Sequence, residues 1–462
     1  MSGSDSEGGL CYFPDFLAHA ANGLASGDPG AGSSPARAAM DGDSHAHFDD
    51  AFELGKRIGA GGLGTVHTCR ARGKVNEKRP RDLPLVVKTV RVRSIVGERV
   101  REGDLDSSRF DAEIDALRRL DACAERDSNA ASTMFPKLVA AFRHVEKHSE
   151  GAEYTLGVAR VVTTNPWGAS SCDLSRLRAS ARDRYGDENV QFPESEAQFY
   201  AAQIVVALRY LHARAKLAHG DVKPENVLVH RNTGAVALCD FDLARATEGV
   251  RERRTSKARS DDDRIGCEVR RGVAFRVDDD GGGGGIVGTP EYVAPEVARG
   301  VVAGATAQTD WYQLGVLVYE LRFGQTPFAS PFGVVGSTLR AIEANDLRFF
   351  DALLAAAEVR GGPRDATCEK RVASVPFLRF ARALLEGDPD ARLGDADVRD
   401  AEFFASVEWD ALERGGGGLV DCAVRTRGAQ DGWILFRRET PRASGRRGSR
   451  ARAEKRHEDP LI

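Results

Sequence analysis

Two patterns of apolar and polar positions follow one another along the chain. Short apolar runs typical of β-strands come first, and longer patterns with helical spacing follow. The predicted strands start with alternating positions after Phe52 and continue in three further runs, at residues 85–88, 137–142 and 154–162. Among them, the stretch around Glu113 repeats apolar residues on one helical face: Phe110, Ile114, Leu117 and Leu120. This order predicts a β-rich unit with one main helix.

The rest of the pattern predicts a mainly helical unit. Residues 194–213 form one long helical pattern that leads directly into a polar loop at 219–228. Short strand-like runs at 226–230 and 235–239 follow. Residues 309–321 are apolar on most sides, which is typical of a helix buried in a core.

Composition is that of a soluble globular protein. Of the 462 residues, 42% are apolar and 29% are charged. The net charge of −4 conceals a basic end, so it gives no reason to expect a nucleic-acid partner. Apolar runs stay well below the roughly 20 residues of a membrane helix, and the Gly- and Ser-rich start is unlike a signal peptide. We therefore expect neither membrane nor nucleic-acid binding.

The cysteines bear on the cellular compartment. All eight are scattered, without a Cys-x-x-Cys pair or a histidine at zinc-ligand spacing. Reduced thiols in an intracellular protein explain them better than disulfides or a metal site. We expect a cytoplasmic location, with the nucleus as an alternative because the end of the chain is basic.

The polar loop carries the first candidate chemistry. Residues 219–228 have the sequence HGDVKPENVL, which contains a carboxylate, an ammonium and an amide: Asp221, Lys223 and Asn226. A carboxylate can accept a hydroxyl proton, a lysine can neutralise phosphate charge, and an amide oxygen can bind a metal ion. Together they are what phosphoryl transfer to an alcohol requires.

Other motifs flank this loop. The sequence GAGGLGTV brings Gly59, Gly61, Gly64 and Val66 between two predicted strands, and Lys88 ends the next apolar run, where burial is costly unless the amine meets an anion. The dinucleotide-binding version of the glycine motif would need a helix directly after the glycines. Glu113 is the candidate partner of Lys88, and a solvated helix face or Asp115 remain alternatives.

Two more motifs follow the loop. An Asp-Phe-Asp sequence begins at Asp240, and GTPEYVAPE occupies residues 288–296. With the glycine loop, Lys88 and the loop at 219–228, they stand in the order found in protein kinases, and the chain resembles the AGC group of serine/threonine kinases. Within that group it resembles the catalytic domains of cyclic-nucleotide-dependent kinases.

The resemblance implies roles for these residues. ATP is the expected cosubstrate, covered by the glycine loop with Val66 and with its phosphates on Lys88, which Glu113 positions. Asp240 and Asn226 are expected to hold Mg²⁺, and Asp221 and Lys223 to be catalytic. Asp173 could bind ribose, although a helix N-cap explains it almost as well. Thr289 is expected near Asp221, Asp310 under the loop, and Arg392 paired with Glu296.

The resemblance also implies an α+β, two-lobed protein-kinase fold with a small β-rich N-lobe and a larger, mainly helical C-lobe. We expect four segments: a disordered N-terminal part with a possible short helix (1–50), the N-lobe (51–162), the C-lobe (163–412) and a C-terminal extension ending in a basic tail (413–462). A Gly- and charge-rich insertion at 246–285 is expected to be disordered.

Four positions depart from the family pattern. Gly220 replaces the usual arginine before the catalytic aspartate, and Gly285 stands where AGC kinases carry a phosphothreonine, so both halves of one regulatory ion pair are missing. Asp242 replaces the glycine of Asp-Phe-Gly, which should restrict the backbone there and add negative charge. Val86 replaces an alanine under the adenine.

The resemblance implies an enzyme that phosphorylates Ser or Thr in proteins with Arg-rich sites, because the glutamate that matches Glu225 in related basophilic kinases pairs with a substrate arginine. A nucleotide-binding pseudokinase that acts as a scaffold is the alternative, favoured by Gly220 and Asp242. A regulatory subunit acting in trans is possible.

Overall fold

A computed structural model describes most of the two expected lobes. It covers residues 48–61, 64–72, 84–95, 107–126, 129–145, 154–185, 192–247, 289–302, 304–330, 333–359 and 373–415. The expected short helix before residue 48, nearly all of the 246–285 insertion, Gly285 within it, and the basic tail lie outside the described residues.

The first lobe is a five-stranded antiparallel sheet. Its strands are β1 (Phe52–Gly61), β2 (Gly64–Ala71), β3 (Leu85–Ile95), β4 (Leu138–Val145) and β5 (Tyr154–Thr164). They lie in the order β1-β2-β3-β5-β4. The predicted runs are confirmed, and β3 lies at the centre of the sheet, where Val87 and Val90 are buried.

The lobe starts earlier than residue 51. A short helix, α1 (Phe48–Ala51), precedes β1, and Phe48 is buried against the aromatic rings of Phe52 and Phe142, with both ring centroids 5.6 Å away. Burying this ring adds apolar area to a small core, so three residues assigned to the disordered segment belong to the folded lobe.

One long helix, α2 (Ser107–Arg126), packs against β3 and β4. The apolar face predicted around Glu113 is buried, and Glu113 lies on the same side and is also buried. Asp115, the alternative partner for Lys88, is exposed and pairs with Arg118.

The second lobe is helical. Its helices are α3 (Leu174–Tyr185), α4 (Glu194–Tyr210), α5 (Pro295–Ala298), α6 (Ala307–Phe323), α7 (Val335–Ala344), α8 (Arg348–Val359), α9 (Val375–Leu384) and α10 (Trp409–Gly415). Helices α4 and α6 pack together and are buried on most sides, as their apolar patterns predicted. None of the helices in the described ranges is long and apolar enough to cross a membrane.

Short strands frame the loops that carry the candidate chemistry. A three-stranded sheet has the order β6-β8-β9, with β6 (Ser171–Asp173), β8 (Val227–His230) and β9 (Val236–Leu238). A second pair joins β7 (Leu217–Ala218) to β10 (Arg245–Ala246). The polar loop therefore runs between β7 and β8, and the Asp-Phe-Asp loop between β9 and β10.

The predicted pair of Glu296 and Arg392 is confirmed. Both side chains are buried, and the carboxylate meets the guanidinium in two parallel contacts of 2.7 and 2.8 Å. The pair ties the start of α5 to the turn after α9.

Candidate active site

Helix α6 supports the polar loop from below. Asp310, fully buried in its first turn, accepts hydrogen bonds from the backbone N–H groups of His219 and Gly220, both at 2.7 Å. Gln313, almost one turn later, donates to the Gly220 carbonyl at 2.9 Å. The expected position of Asp310 under the loop is confirmed. Both the N–H and the carbonyl group of Gly220 are hydrogen-bonded to side chains of α6.

Within the loop, the three chemical groups meet. Lys223 Nζ lies 2.7 Å from Asp221 Oδ2, and Asn226 Nδ2 donates to the same oxygen at 2.8 Å. Asn226 also donates to the Asp221 backbone carbonyl at 2.8 Å. The amide nitrogen is thereby engaged twice, so the amide oxygen of Asn226 is the atom left for another partner.

A second charged group joins both lobes. Lys88 Nζ from β3 lies 3.1 Å from Glu113 Oε2, in short contact with Asp240 Oδ1, and 3.7 Å from Asp242 Oδ2. Asp242 in turn lies 4.0 Å from Arg109 Nη2. The predicted pairing of Lys88 with Glu113 is confirmed, and the lysine is brought to the candidate metal ligand Asp240.

The charges explain the protonation of this group. Burial alone would lower the pKa of Lys88, but Glu113, Asp240 and Asp242 outweigh it and raise that pKa well above its ordinary value. Burial would raise the pKa of Asp240, yet the Lys88 ammonium keeps it below the ordinary value. Burial raises the pKa of Glu113 to about 7, against the effect of Lys88. Lys88 and Asp240 are therefore both charged at neutral pH.

The loop that carries Asp240 has an unusual backbone. Asp240 has φ 67°, a left-handed conformation that costs a residue with a Cβ roughly 1–2 kcal/mol. The next residue, Phe241, is buried, and its ring centroid lies 4.8 Å from that of His219. His219 Nε2 lies 3.1 Å from the carbonyl oxygen of Cys239. This packing holds Asp240 toward Lys88.

The glycine loop has two kinds of glycine. A Cβ on Gly64 would lie 2.2 Å from the Thr89 carbonyl oxygen, so this glycine lets β2 approach β3. A Cβ on Gly59 would meet only Val66, at 3.6 Å. Gly61 pairs with Gly64 at the hairpin end. The expected role of Gly59, Gly61, Gly64 and Val66 in covering a nucleotide stays a prediction.

Asp173 caps a helix. Its carboxylate accepts a hydrogen bond from the Arg176 backbone N–H at 2.7 Å and pairs with the Arg176 side chain at 3.1 Å. Arg176 also donates to the Ile58 carbonyl in β1, at 3.0 Å. The N-cap interpretation is confirmed, and ribose binding by Asp173 stays a prediction.

Comparison with known proteins identifies the family. The family model for the protein kinase domain matches residues 174–404, which is half of the chain. The chain belongs to the protein kinase family. Within that family it is a member of the AGC group of serine/threonine kinases, and its two lobes have the expected α+β architecture.

The relatives come from plants and fungi. The chain is 31% identical over 383 residues to the protein kinase PINOID of Oryza sativa subsp. japonica, covering 77% of this chain and 66% of the relative. It is 30% identical to the serine/threonine-protein kinase UCNL of Arabidopsis thaliana, covering 65% and 69%. For the serine/threonine-protein kinase nrc-2 of Neurospora crassa the identity is 33%, and the chain spans 32% of that protein.

The kinase departs from its family at places that the structure makes visible. Gly220 has φ 83°, and a Cβ there would lie 2.7 Å from Ala305 Cβ and 2.9 Å from the Leu243 carbonyl oxygen, so no arginine side chain fits. Gly220, Asp221 and Thr289 line one cavity of about 60 Å³. A hydrogen bond from Thr289 toward Asp221 stays a prediction.

Sequence reasoning missed several charged residues around this site. Arg109 is buried beside Asp242, and Glu320 contacts both Tyr292 and Arg178. Arg109 lies one helical turn before Glu113, and that spacing is the sequence signal that could have placed it on the same face.

Proposed function

We propose that this kinase transfers the γ-phosphoryl group of ATP to Ser or Thr hydroxyls of proteins. The observation that carries the proposal is a pair of neighbouring charged groups, Lys88 with Glu113 and Asp240, and Asp221 with Lys223. The two groups also interact electrostatically, because Lys223 contributes to lowering the pKa of Asp240. Phosphoryl transfer depends mainly on positioning and charge stabilisation, which such groups supply.

The donor atoms fit Mg²⁺. The free amide oxygen of Asn226 and the charged carboxylate of Asp240 are hard oxygen ligands, which Mg²⁺ prefers. No cluster of three or more His, Cys, Asp or Glu side chains able to bind a metal occurs in the described part of the chain. Two protein ligands would suffice, because Mg²⁺ at such sites also binds substrate phosphates and water. When bound, the ion neutralises charge on the phosphates.

The residues of the chain then divide the work. Asp221 orients the acceptor hydroxyl and takes its proton as the oxygen bonds to the γ-phosphorus and the bond to ADP breaks. Lys223 stabilises charge on the transferring group, and Lys88, positioned by Glu113, binds phosphate oxygens. Gln313 and Asp310 keep the loop backbone in place throughout.

The test combines transfer and binding. In an array of Ser and Thr peptides with radiolabelled ATP, Asp221→Asn should lower turnover by about 10²- to 10⁴-fold, because the proton acceptor is lost. Binding of ATP, measured by calorimetry with Mg²⁺, should change little in that variant. Asp240→Asn should abolish both transfer and the Mg²⁺-dependent part of ATP binding.

The outcomes separate the two candidate functions. Wild-type protein that binds ATP but labels no peptide, with the same result for Asp221→Asn, would support the pseudokinase alternative. Full activity in both variants would refute the kinase mechanism altogether.

We further propose that the kinase prefers arginine-rich substrates. Exposed Glu225 lies near the carboxylates of Glu320 and Glu291. Burial raises the pKa of Glu320, and the negative charges of Glu225 and Glu291 raise it further, whereas Tyr292 and Arg178 lower it. A carboxylate cluster beside the acceptor loop suits a guanidinium, which binds carboxylates through two parallel hydrogen bonds. Arg178 already neutralises Glu320 at 2.6 Å, which leaves Glu225 for the substrate.

Glu225→Gln tests this preference. We expect kcat/KM for an Arg-Arg-x-Ser peptide to fall about tenfold to a hundredfold, whereas an arginine-free peptide should be unaffected. Glu408→Gln, at another exposed glutamate, is the matched control. Equal losses on both peptides would contradict the preference.

A further inference from the structure

An ion pair not used by the proposed mechanism lies beside the site. Asp242 and Arg109 are both buried, with side-chain exposures of 8% and 9%, and their charged atoms are 4.0 Å apart. Arg109 Nε is buried and has no hydrogen-bond partner among the residues that the structure describes. Asp242 is therefore the carboxylate that offsets the charge of this guanidinium.

The pair connects two elements that carry functional residues. Arg109 lies in α2 one turn before Glu113, and Asp242 lies two residues after Asp240. Asp242 also lies 3.7 Å from Lys88 Nζ. Helix α2 is thus attached to the centre of the site at two points, through Glu113 to Lys88 and through Arg109 to Asp242.

The backbone at Asp242 does not require glycine. Among the described non-glycine residues, positive φ occurs at Lys216, Asp240 and Asn345, so Asp242 has a conformation open to any L-residue. The aspartate is therefore accommodated without strain, and its carboxylate adds a charge that a glycine would not supply.

We propose that Asp242 is a positioning residue that works through Arg109 to keep helix α2, and with it Glu113, against Lys88. The proposal rests on the proposed kinase function for its effect on turnover. Loss of Asp242 leaves the buried guanidinium of Arg109 without its carboxylate, whereas loss of Arg109 leaves Asp242 paired with Lys88 alone. In either case helix α2 loses one of its two attachments and can move outward toward solvent. The residue that departs from the family glycine would then support the active arrangement.

Three variants test the pair: Asp242→Ala, Arg109→Met and the double variant. The alanine keeps a Cβ, so it separates the charge from any backbone restriction. Each variant should lower kcat about tenfold, and the double variant should lose no more than either single one, because residues acting as a unit are not additive. Arg109→Lys keeps the charge and should stay within about threefold of wild type.

Hydrogen exchange of α2 amides in nucleotide-free protein gives a readout that does not need catalysis. Exchange in residues 107–126 should accelerate in Asp242→Ala and Arg109→Met, but not in Arg118→Met, an exposed arginine on the same helix. If wild-type protein transfers no phosphate while these changes appear, the proposed function fails and the ion-pair role stands. Unchanged exchange in Asp242→Ala, or losses that multiply in the double variant, would overturn the inference.

Discussion

At the scale of single residues, Gly220 is the most constrained position of the site. Its φ of 83° is one that glycine adopts freely, and its N–H and carbonyl are bonded to Asp310 and Gln313. Ala305 and Leu243 fill the space that a side chain would need. The arginine usual in regulated kinases is thus excluded by packing as well as absent from the sequence.

Replacing this glycine should be costly. Gly220→Ala forces a Cβ into the left-handed region, which costs roughly 1–2 kcal/mol, and adds contacts of 2.7 and 2.9 Å. We expect the free energy of unfolding to fall by about 3 kcal/mol or more in urea titrations, because overpacking adds about 1–3 kcal/mol, together with a loss of turnover.

Gly300→Ala is the matched control for this change. Gly300 has φ 68°, and a Cβ there meets nothing within 4 Å, so it isolates the backbone term. Equal losses in the two variants would show that the contacts around Gly220 relax without cost.

At the scale of elements, helix α6 is the support of the catalytic loop. Thr306 and Thr309 cap its start reciprocally, which fixes the first turn where Asp310 lies. Asp310 also contacts His212 Nε2 at 2.7 Å, so one carboxylate joins the end of α4 to the loop. The geometry of the loop therefore depends on its hydrogen bonds to α6.

Asp310→Asn should uncouple the loop from α6. The amide places an NH₂ group against the backbone N–H donors of His219 and Gly220, both of which donate to Asp310, and we expect a loss of about 2–4 kcal/mol in the free energy of unfolding. Turnover should fall with it, measured on an arginine-containing peptide. Asp351→Asn, whose carboxylate is in an exposed pair with Arg382, should change stability by less than about 1 kcal/mol.

The elements also show how far sequence reasoning reaches. Strands, helices and the residues within motifs were predictable, because apolar periodicity and glycine or proline punctuation are local signals. Lys88 contacts Asp240 and Asn226 contacts Asp221, whereas the catalytic and metal-binding roles of these residues stay predictions. Glu113 was predictable as well, since one helical face carried it.

Contacts that depend on packing were not predictable. Arg109 and Asp242 are far apart in sequence, and no local sequence pattern predicts that they form a pair. The burial of Phe48 was not predicted, because one aromatic residue in a polar segment gives no periodicity. The sequence predicts nucleotide binding for Gly64, whereas the lack of room for a Cβ beside the Thr89 carbonyl follows only from the pairing of β2 with β3.

At the scale of the whole molecule, the residue before Asp221 cannot take part in the usual clamp between activation segment and catalytic loop, because it is a glycine. Gly220 cannot carry a cation, and Arg245 is left among the residues that line the adjoining cavity. Both lobes are instead joined through Lys88, Glu113 and Asp240. We infer that activity depends on these internal pairs more than on an added phosphate.

Phosphatase treatment tests that inference. Protein produced in bacteria and treated with phosphatase should keep its activity within about threefold, measured as turnover on a peptide before and after treatment and confirmed by mass spectrometry. A loss beyond about tenfold, equal to about 1.4 kcal/mol in barrier, would indicate another phosphosite, with Arg245→Met as the variant to examine next.

The attachment of the loop to Asp310 also predicts an order of folding. His219 and Asp310 are separated by 91 positions, whereas three of the four strand pairs of the first lobe join strands that follow one another in the chain, β3 with β5 being the exception. Long-range contacts form late because closing the intervening chain costs entropy. Catalytic competence should therefore arise last in refolding, together with burial of Trp311, the residue next to Asp310. Stopped-flow tryptophan fluorescence alongside recovery of activity would reveal it, and on the ribosome the loop would stay incomplete until α6 has emerged.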